Sequence, residues 1–191
     1  MATFNFNRQT NFYSGKVRDV YSIAADWLVM IASDRISAFD VILPKPIPFK
    51  GQVLNQIAAY MLQATEDICP NWLVETPTPN TAIGKKCIPF KVEMVIRGNL
   101  TGHSWRTYSS GNKILCGVTM QDGMKENDFF AEPIITPSTK ASVGHDEDIS
   151  RADIISTGIA SAADYATLEN YTRSLFERGK QLAAKTRAYF G

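Results

Sequence analysis

The chain has 191 residues, of which 45% are hydrophobic, an ordinary composition for a soluble globular protein and enough for one sizeable domain or two small lobes. Its 20 Lys and Arg residues balance 19 Asp and Glu residues, so no net charge would draw the whole protein onto nucleic acid or an anionic membrane, and any anion site must be local. The 3 cysteines, Cys69, Cys87 and Cys116, have no paired spacing, which argues against a disulfide framework or a zinc site and favours a reducing, cytoplasmic location.

The N-terminal part predicts a pair of strands with no targeting segment before them. Met1–Arg8 is polar and aromatic rather than basic and then apolar, and no later segment is long enough to span a bilayer, so we expect neither export nor membrane insertion. Val17–Tyr21 and Trp27–Ala32 are short apolar runs separated by a polar turn, a pattern typical of paired strands.

A proline-rich connection and a helix follow the strands. Proline fixes a backbone angle and removes a hydrogen-bond donor, so the stretch with Pro44, Pro46 and Pro48 is predicted to be an extended connection. After Gly51, one helical stripe is apolar until Cys69-Pro70 ends the pattern, and it predicts a helix packed on the core: Val53, Ile57, Tyr60, Met61 and Ala64. The character of the amino-acid sequence changes near residue 85, where we divide the chain into lobes 1–85 and 86–191.

The second lobe begins with strand-like sequence. Every second residue of Ile88–Ile96 is apolar, which predicts one continuous strand. The chain then turns at Thr101-Gly102 into a short helix, with Trp105 and Tyr108 facing inward and Gly111 as its stop. Such a turn from a strand into a helix is a common anion site.

The rest of the second lobe is predicted to be strand-like near Ile114–Val118 and helical towards its end. Asp148 or Ser150, the latter with Asp153, suits the N-cap of a short helix. A long helix ending at the capping glycine Gly191 is predicted by apolar residues that recur at helical spacing: Tyr165, Leu168, Tyr171, Leu175, Leu182 and Tyr189.

The first candidate for chemistry is Ser14–Asp19. Its glycine lets backbone amides approach a ligand, and Lys16 and Arg18 alternate onto one face of the following strand, an arrangement that suits a polyphosphate. The alternative is an exposed hairpin with solvated charges.

The second candidate is Ser33–Asp40, directly after a buried strand, where sheet folds present ligand-binding loops. Its serines and Arg35 suit a phosphate or a carboxylate. The alternative is a hydrogen-bonded turn in which Asp34 and Asp40 bind nearby amides.

The third candidate is Glu93–His103, in which Glu93 and Arg97 are predicted to share a strand face beside a helix N-terminus, as an anion clamp requires. The alternative is a surface ion pair of Glu93 with Arg97. A single histidine is more often a hydrogen-bonded partner than a catalyst, so His103 is assigned to binding only.

The fourth candidate combines hydroxyls, a cation and carboxylates in Ile135–Lys140 and His145–Asp148. The carboxylates suit magnesium or an amine. The alternative is a solvated acidic loop in which Asp148 meets the dipole of the following helix.

In this order, the four segments resemble the phosphoribosylaminoimidazole-succinocarboxamide synthase (SAICAR synthetase) family over essentially the whole chain. Glu93, Arg97, Thr101 and Gly102 match the family's Glu-x-x-x-Arg strand and Thr-Gly-Ser turn, with His103 in place of the serine. The resemblance implies an α+β fold of two lobes, like those of ATP-grasp enzymes and kinases, with ATP between them.

The resemblance also implies the ligands of individual residues. Gly15, Lys16 and Arg18 are expected to contact the phosphates of ATP. Lys16 and Arg18, together with Asp146, are the expected catalytic residues. The site of the imidazole nucleotide and the other substrate is expected to include Ser33, Asp34, Arg35, Ser37, Arg97, Thr101, Gly102, His103, Thr139 and Lys140.

The implied activity is an ATP- and Mg²⁺-dependent ligation of L-aspartate to carboxyaminoimidazole ribonucleotide in purine synthesis, through an acyl phosphate. Similar enzymes continue into an Asp-x-Lys-x-Glu-Phe-Gly strand and a further acidic segment that binds the metal. Neither occurs here, so we expect a truncated second lobe and metal ligands that lie beyond Gly191.

Two other functions stay open. One is a catalytically inactive, nucleotide-binding remnant of the same enzyme, which metal-dependent turnover would distinguish from an active ligase. The other is an RNA-binding module built from a basic strand and exposed aromatics, which the balanced charge and the lack of a basic stripe disfavour. We therefore expect small-molecule partners rather than nucleic acid or membrane.

Overall fold

A computed structural model describes residues 4–38, 41–140 and 145–190, with side chains described up to residue 185. The chain forms two compact units that divide between Ile88 and Pro89, close to the division predicted after residue 85. Each unit mixes helices and strands, and the α+β fold class predicted from the sequence is confirmed.

The first unit is a five-stranded antiparallel sheet in the order β1-β2-β3-β7-β6. A two-stranded ladder of β4 and β5 lies between β3 and helix α1 along the chain. The bounds are β1 Gln9–Ser14, β2 Arg18–Ile23, β3 Trp27–Ala32, β4 Ser37–Ala38, β5 Val41–Ile42, α1 Lys50–Gln63, β6 Leu73–Thr78 and β7 Thr81–Lys85.

The central pair of strands was predicted correctly. β2 and β3 pair without interruption from Arg18 opposite Ala32 to Ile23 opposite Trp27. Successive side chains of a strand point to opposite faces, and Tyr21 and Val29, directly opposite each other, are both buried on one face. The partner strands β1, β6 and β7 were not predicted, because their sequences lack the apolar runs by which β2 and β3 were recognised.

Helix α1 exists where it was predicted, but its predicted packing face is wrong. The predicted stripe is on the outside, with Val53, Ile57, Tyr60 and Met61 between 41% and 56% exposed. The helix contacts β3, β7 and β6 through its other side, where Gly51 and Asn55 are the buried residues. Only glycine fits at position 51, because a Cβ added there would lie 2.6 Å from the Ala32 carbonyl oxygen.

The second unit contains short antiparallel ladders, β8 with β13, β9 with β12 and β10 with β11, together with the helices α2, α3 and α4. Its bounds are β8 Val92–Glu93, β9 Ile96–Asn99, α2 Gly102–Ser109, β10 Ile114–Leu115, β11 Val118–Thr119, β12 Phe129–Ile135, β13 Ser138–Thr139, α3 Arg151–Ser156 and α4 Ala162–Phe190. One cluster of its buried residues is Leu100, Leu115 and Met120, and another is Ile154, Ala160 and Tyr165.

The continuous strand predicted over Ile88–Ile96 is wrong. The structure has β8 and β9 instead, separated at Met94 and Val95, and the Ile88 side chain is 97% exposed. Pro137 lies between the partner strands β12 and β13, and a proline has no N–H to donate to a ladder, so the pairing is interrupted at this point.

The predicted helix signals are confirmed. Trp105 and Tyr108 of α2 pack against the cluster around Leu100. The Ser150 hydroxyl caps α3 by accepting a hydrogen bond from the Asp153 amide at 3.1 Å. The terminal helix extends to Phe190, and its predicted cap, Gly191, lies outside the described residues. No helix in the described part of the chain has both the length and the apolar character needed to cross a membrane.

Candidate functional site

The predicted phosphate-binding segment is the turn between β1 and β2. The Gly15 amide donates to the Arg18 carbonyl at 2.8 Å and closes the turn. The Lys16 and Arg18 side chains are both exposed. The Val17 carbonyl accepts two hydrogen bonds from Ser33, one from its amide at 3.0 Å and one from its hydroxyl at 2.8 Å. A fixed backbone thus carries two cations at the surface.

Arg35 reaches the same turn from the next loop. Its Nη2 donates to the Gly15 carbonyl at 2.9 Å and to Asp19 Oδ1 at 2.8 Å, and its Nε donates to the Lys16 carbonyl at 3.1 Å. Ser14 also donates to Asp19 Oδ1, at 2.8 Å. Burial raises the pKa of Asp19, but the hydrogen bonds from Arg35 and Ser14 and the charge of Arg35 outweigh it, so the pKa lies below its ordinary value.

Asp34 connects this loop to helix α1. Its carboxylate accepts hydrogen bonds from the Gly51 amide at 2.9 Å and from the Phe49 amide at 3.2 Å. Its carbonyl accepts one from the Ile47 amide at 2.9 Å. The predicted turn in which Asp34 binds nearby amides is therefore present, whereas Asp40, predicted to do the same, lies outside the described residues. Ser37 lies in β4 opposite Ile42.

The two polar segments of the first unit border cavities on opposite faces of its sheet. Arg18 lines a cavity of about 330 Å³ between the sheet and α1, with Met30. Ser33, Asp34 and Arg35 line the end of a cavity of about 1190 Å³ on the other face, whose walls are mostly apolar. Arg18, predicted to contact ATP, therefore borders a different space from the three residues Ser33, Asp34 and Arg35 predicted for the imidazole nucleotide.

In the second unit, Arg97 is oriented by a buried threonine. Its Nε donates to Thr136 Oγ1 at 2.8 Å. Thr136 is only 2% exposed, and its amide donates to the Val95 carbonyl at 2.8 Å, so the acceptor is rigidly placed. Glu93, predicted to share a strand face with Arg97, lies in β8 rather than β9 because the predicted strand is interrupted.

The turn into α2 has the conformation that its glycine permits. Gly102 has a φ of 57°, and a Cβ added there would meet no heavy atom within 4 Å, so the backbone is open to a ligand. The N-cap residue, Thr101, makes no side-chain capping hydrogen bond to the helix. His103 Nε2 lies 2.7 Å from Asp148 Oδ2, a hydrogen bond that joins α2 to the segment before α3.

Lys140 and Thr139 organise the acidic segment. The Lys140 ammonium donates to Glu93 at 2.6 Å and to Asp146 at 3.2 Å, and these hydrogen bonds raise its pKa above the ordinary value. The Thr139 amide donates to the Glu147 carbonyl at 2.8 Å, and the Glu147 amide donates to Thr139 Oγ1 at 3.0 Å. In the described part of the chain, hydrogen bonds therefore join the two segments of the fourth candidate.

Cys116 lies at the turn between β10 and β11, and its thiol donates to the Pro137 carbonyl at 3.2 Å. Burial, with a further contribution from the negative charge of Asp148, raises the pKa of the Cys116 thiol to about 11. The thiol is therefore protonated at neutral pH and is a poor nucleophile.

Three residues of these sites were not assigned from the sequence: Asp19 as the partner of Arg35, Thr136 as the partner of Arg97, and Asp148 as the partner of His103. Each is separated along the chain from the residue that it holds, so periodicity and spacing contain no signal for the contact. Residues 4–38, 41–140 and 145–190 include no group of three or more His, Cys, Asp or Glu side chains placed to bind a metal.

Comparison with known proteins identifies the family of this chain. The sequence profile of the SAICAR synthetase family matches residues 11–189. The phosphoribosylaminoimidazole-succinocarboxamide synthase of Cytophaga hutchinsonii is 62% identical over 182 residues, 95% of this chain and 58% of that protein. The corresponding synthase of Flavobacterium psychrophilum is 59% identical, with the same coverage. The chain thus spans less than two thirds of the length of these relatives.

Solved structures agree in fold. The SAICAR synthase of Saccharomyces cerevisiae, in complex with SAICAR, superimposes with a TM-score of 0.80 at 28% identity, covering 92% of this chain and 64% of that one. A SAICAR synthetase in complex with ADP has a TM-score of 0.75 at 22% identity, covering 92% and 69%. The fold predicted from the sequence is confirmed by these likenesses.

Proposed function

The chain belongs to the SAICAR synthetase family, and we propose that it catalyses the ATP-dependent joining of L-aspartate to carboxyaminoimidazole ribonucleotide. The product would be SAICAR, the ligand of the yeast relative. The proposal concerns an activity of whole relatives, of which this chain spans 58%. The observation that carries it is the rigid β1–β2 turn with two exposed cations.

The reaction has two steps. A carboxylate oxygen of the imidazole nucleotide attacks the γ-phosphorus of ATP, the bond from that phosphorus to the bridging oxygen breaks, and ADP leaves. The amine of aspartate then attacks the acyl carbon, phosphate leaves with its oxygen, and the amine loses a proton as the amide forms. Neither step requires a covalent enzyme intermediate.

In the first unit, the proposed task is to bind the phosphates of ATP. Lys16 and Arg18 are exposed at a turn whose backbone is held by Ser33 and Arg35. Cations fixed in advance stabilise the charge that spreads over the transferred phosphoryl group, without a cost of reorganisation during the reaction. Gly15 allows the backbone of the turn to approach the phosphates.

In the second unit, the proposed task is to bind the other substrates. Arg97, oriented by Thr136, provides a cationic fork, and the N-terminus of α2 at Thr101, Gly102 and His103 offers backbone amides to a phosphate or carboxylate. Asp146, bonded to Lys140, is proposed to bind the ammonium group of aspartate and to accept its proton.

The same resemblance assigns Ser33, Asp34, Arg35 and Ser37 to the imidazole nucleotide, and this assignment remains a prediction. Magnesium is part of the proposed reaction, but the described residues contain no ready-made cluster that would hold it without the phosphates of ATP. Magnesium usually keeps several waters and is bound by one or two carboxylates together with substrate phosphates, and the described ranges contain no cluster of three acidic, histidine or cysteine side chains. No step is therefore assigned to residues that would hold the metal.

The test is product formation by the purified chain with ATP, magnesium, aspartate and carboxyaminoimidazole ribonucleotide, with the binding of each ligand measured in parallel by calorimetry. Turnover supports the ligase. Binding of ATP and of the imidazole nucleotide without turnover supports the nucleotide-binding remnant instead, and binding of neither contradicts both.

Arg97→Ala tests the anion clamp within the same experiment. Loss of a charged hydrogen-bond donor costs about 1.5–3 kcal/mol, so we expect the imidazole nucleotide to bind about ten- to a hundredfold more weakly, with ATP binding nearly unchanged. Arg106→Ala, which removes an exposed arginine from the same unit, is the control. Equal losses for both ligands, or no loss, would contradict the assignment.

A further inference from the structure

Three successive carbonyl groups of the β1–β2 turn are held by two residues of the loop that follows β3. Arg35 binds the Gly15 and Lys16 carbonyls, and Ser33 binds the Val17 carbonyl through its amide and its hydroxyl. Ser33 is buried, and the side chain of Arg35 is only 19% exposed. The contact is therefore an internal brace of the first unit rather than a chance surface contact.

The brace fixes the direction of the amide groups in the turn. A trans peptide unit is planar, and its N–H points away from its C=O; the described peptide bonds are all trans. With the Gly15 and Lys16 carbonyls directed at Arg35, the N–H groups of Lys16 and Val17 point to the opposite side. Consecutive amides that point to one side form a concave anion site.

We propose that Arg35 is a positioning residue for the phosphate-binding turn: its fork sets the peptide orientation that presents the Lys16 and Val17 amides to the phosphates of ATP. The inference rests on the proposed binding of ATP at this turn and adds to it a residue that acts through the backbone. It gives Arg35 a task other than the contact with the imidazole nucleotide implied by the family resemblance.

The contribution of Arg35 is geometric rather than one of net charge. Its guanidinium is paired with Asp19, whose side chain is 9% exposed, so the pair adds no net charge near the phosphates. Both N–H groups of Nη2 and the single N–H of Nε are directed at the turn or at Asp19. A lysine keeps the charge but has a single donor atom and cannot span two carbonyls and a carboxylate.

The experiment compares ATP dissociation constants of the 191-residue chain and its variants by calorimetry. R35K is expected to bind ATP about tenfold more weakly than wild type, because two charge-assisted contacts to the turn are reduced to one. K45A, which removes an exposed cation from the same unit, is the control and is expected to bind ATP like wild type.

A second pair of variants separates geometry from charge. R35A leaves the Asp19 carboxylate without its cation, whereas R35A/D19N removes both charges. If Arg35 only neutralised Asp19, the double variant would recover wild-type affinity for ATP. We expect it to remain about tenfold weaker, because the carbonyls of Gly15 and Lys16 still lack their donor.

A spectroscopic measurement without ATP tests the orientation directly. In two-dimensional NMR of the ligand-free chain, the Lys16 and Val17 amide resonances are expected to shift in R35K. The resonances of the α1 residues Asn55 and Ala58 are expected to stay unchanged. The melting temperature of each variant is recorded as well. This separates reorientation of the turn from loss of the fold.

Either of two results would overturn the inference: R35K or R35A/D19N that binds ATP as tightly as wild type, or Lys16 and Val17 resonances that do not move in R35K. Failure of the ligase proposal alone has a different signature, because it would appear as a wild-type chain that binds ATP and forms no product.

Discussion

Replacing Leu100 by alanine should destabilise the second unit more than any change at its surface. Leu100 follows β9 and immediately precedes the Thr101-Gly102 turn, and its side chain is 0% exposed. It packs with Leu115 and Met120, which are almost as buried, and with partly buried aromatic residues of α2. The same side chain therefore anchors the end of β9 and the start of α2.

The magnitude follows from burial. At fully buried sites, Leu→Ala lowers the free energy of unfolding by about 2.7–5 kcal/mol. This loss is the sum of the transfer free energy of the removed carbons and the cost of the cavity that remains. Leu100 is enclosed by α2 and by the β10–β11 hairpin, so little collapse into the cavity is possible and we expect about 4 kcal/mol. That is a large part of the roughly 5–15 kcal/mol by which whole domains are stable. Ile114→Ala, at a site 55% exposed, is the control and should cost about 1 kcal/mol or less.

The assay is urea unfolding followed by tryptophan fluorescence. Trp105 packs against the Leu100 cluster, and replacing Trp27 and Trp72 by phenylalanine makes it the reporter for the second unit. Linear extrapolation of the transition gives the free energy of unfolding in water. A loss below about 1.5 kcal/mol for Leu100→Ala, or one equal to that of Ile114→Ala, would refute the assigned core.

Two further predictions concern ionisable groups. Because the folded-state pKa of Asp19 lies below its ordinary value of 3.8, the unfolded chain binds this proton first as the pH falls, so the stabilising contribution of Asp19 is present above that value and is lost below it. The free energy of unfolding of wild type should thus fall more than that of Asp19→Asn between about pH 5 and pH 3, and parallel curves would contradict this. For the cysteines, iodoacetamide at neutral pH should alkylate exposed Cys87 well before Cys116, whose pKa is raised to about 11. Mass spectrometry of peptides taken over time measures the order of alkylation. Equal rates for the two thiols would contradict the prediction.

The elements predicted correctly are those with local signals. β3 is an unbroken apolar run, and α2 lies between the Thr101-Gly102 turn and Gly111, whose φ is 94°. Ser150 caps α3 through the Asp153 amide, as its sequence spacing indicates. Capping, turn formation and periodicity depend on residues a few positions apart, so a single sequence contains the information.

The errors arise where contacts are distant along the chain. The apolar residues of α1 do recur at helical spacing, but the helix packs through the side that carries Gly51 and Asn55, where the backbone at Ala32 approaches Gly51 too closely for a side chain. The strand predicted over Ile88–Ile96 breaks opposite Pro137, a residue far along the chain. Neither cause can be recognised in the segment that it changes.

For the candidate sites too, the residue types could be predicted from the sequence, whereas the groups that these residues contact could not. The sequence identified polar segments and their candidate chemistry, but it did not distinguish a polar group that binds a ligand from one that binds the backbone. Both tasks require the same donors. Arg35 and Asp34 were assigned to a substrate, yet the structure directs Arg35 at the carbonyls of Gly15 and Lys16 and Asp34 at the amides before and within α1.

This difference matters for how the proposed sites would work. An exposed cation such as Lys16 attracts phosphate wherever its flexible stem carries it, whereas electrostatic stabilisation of a transition state depends on groups that are already in place. In the first unit, Ser33 and Arg35 hold the turn and so keep its groups in place. In the second unit, Thr136 does the same for Arg97. Changes at these supporting residues should therefore affect ligand binding as strongly as changes at the cations that they support.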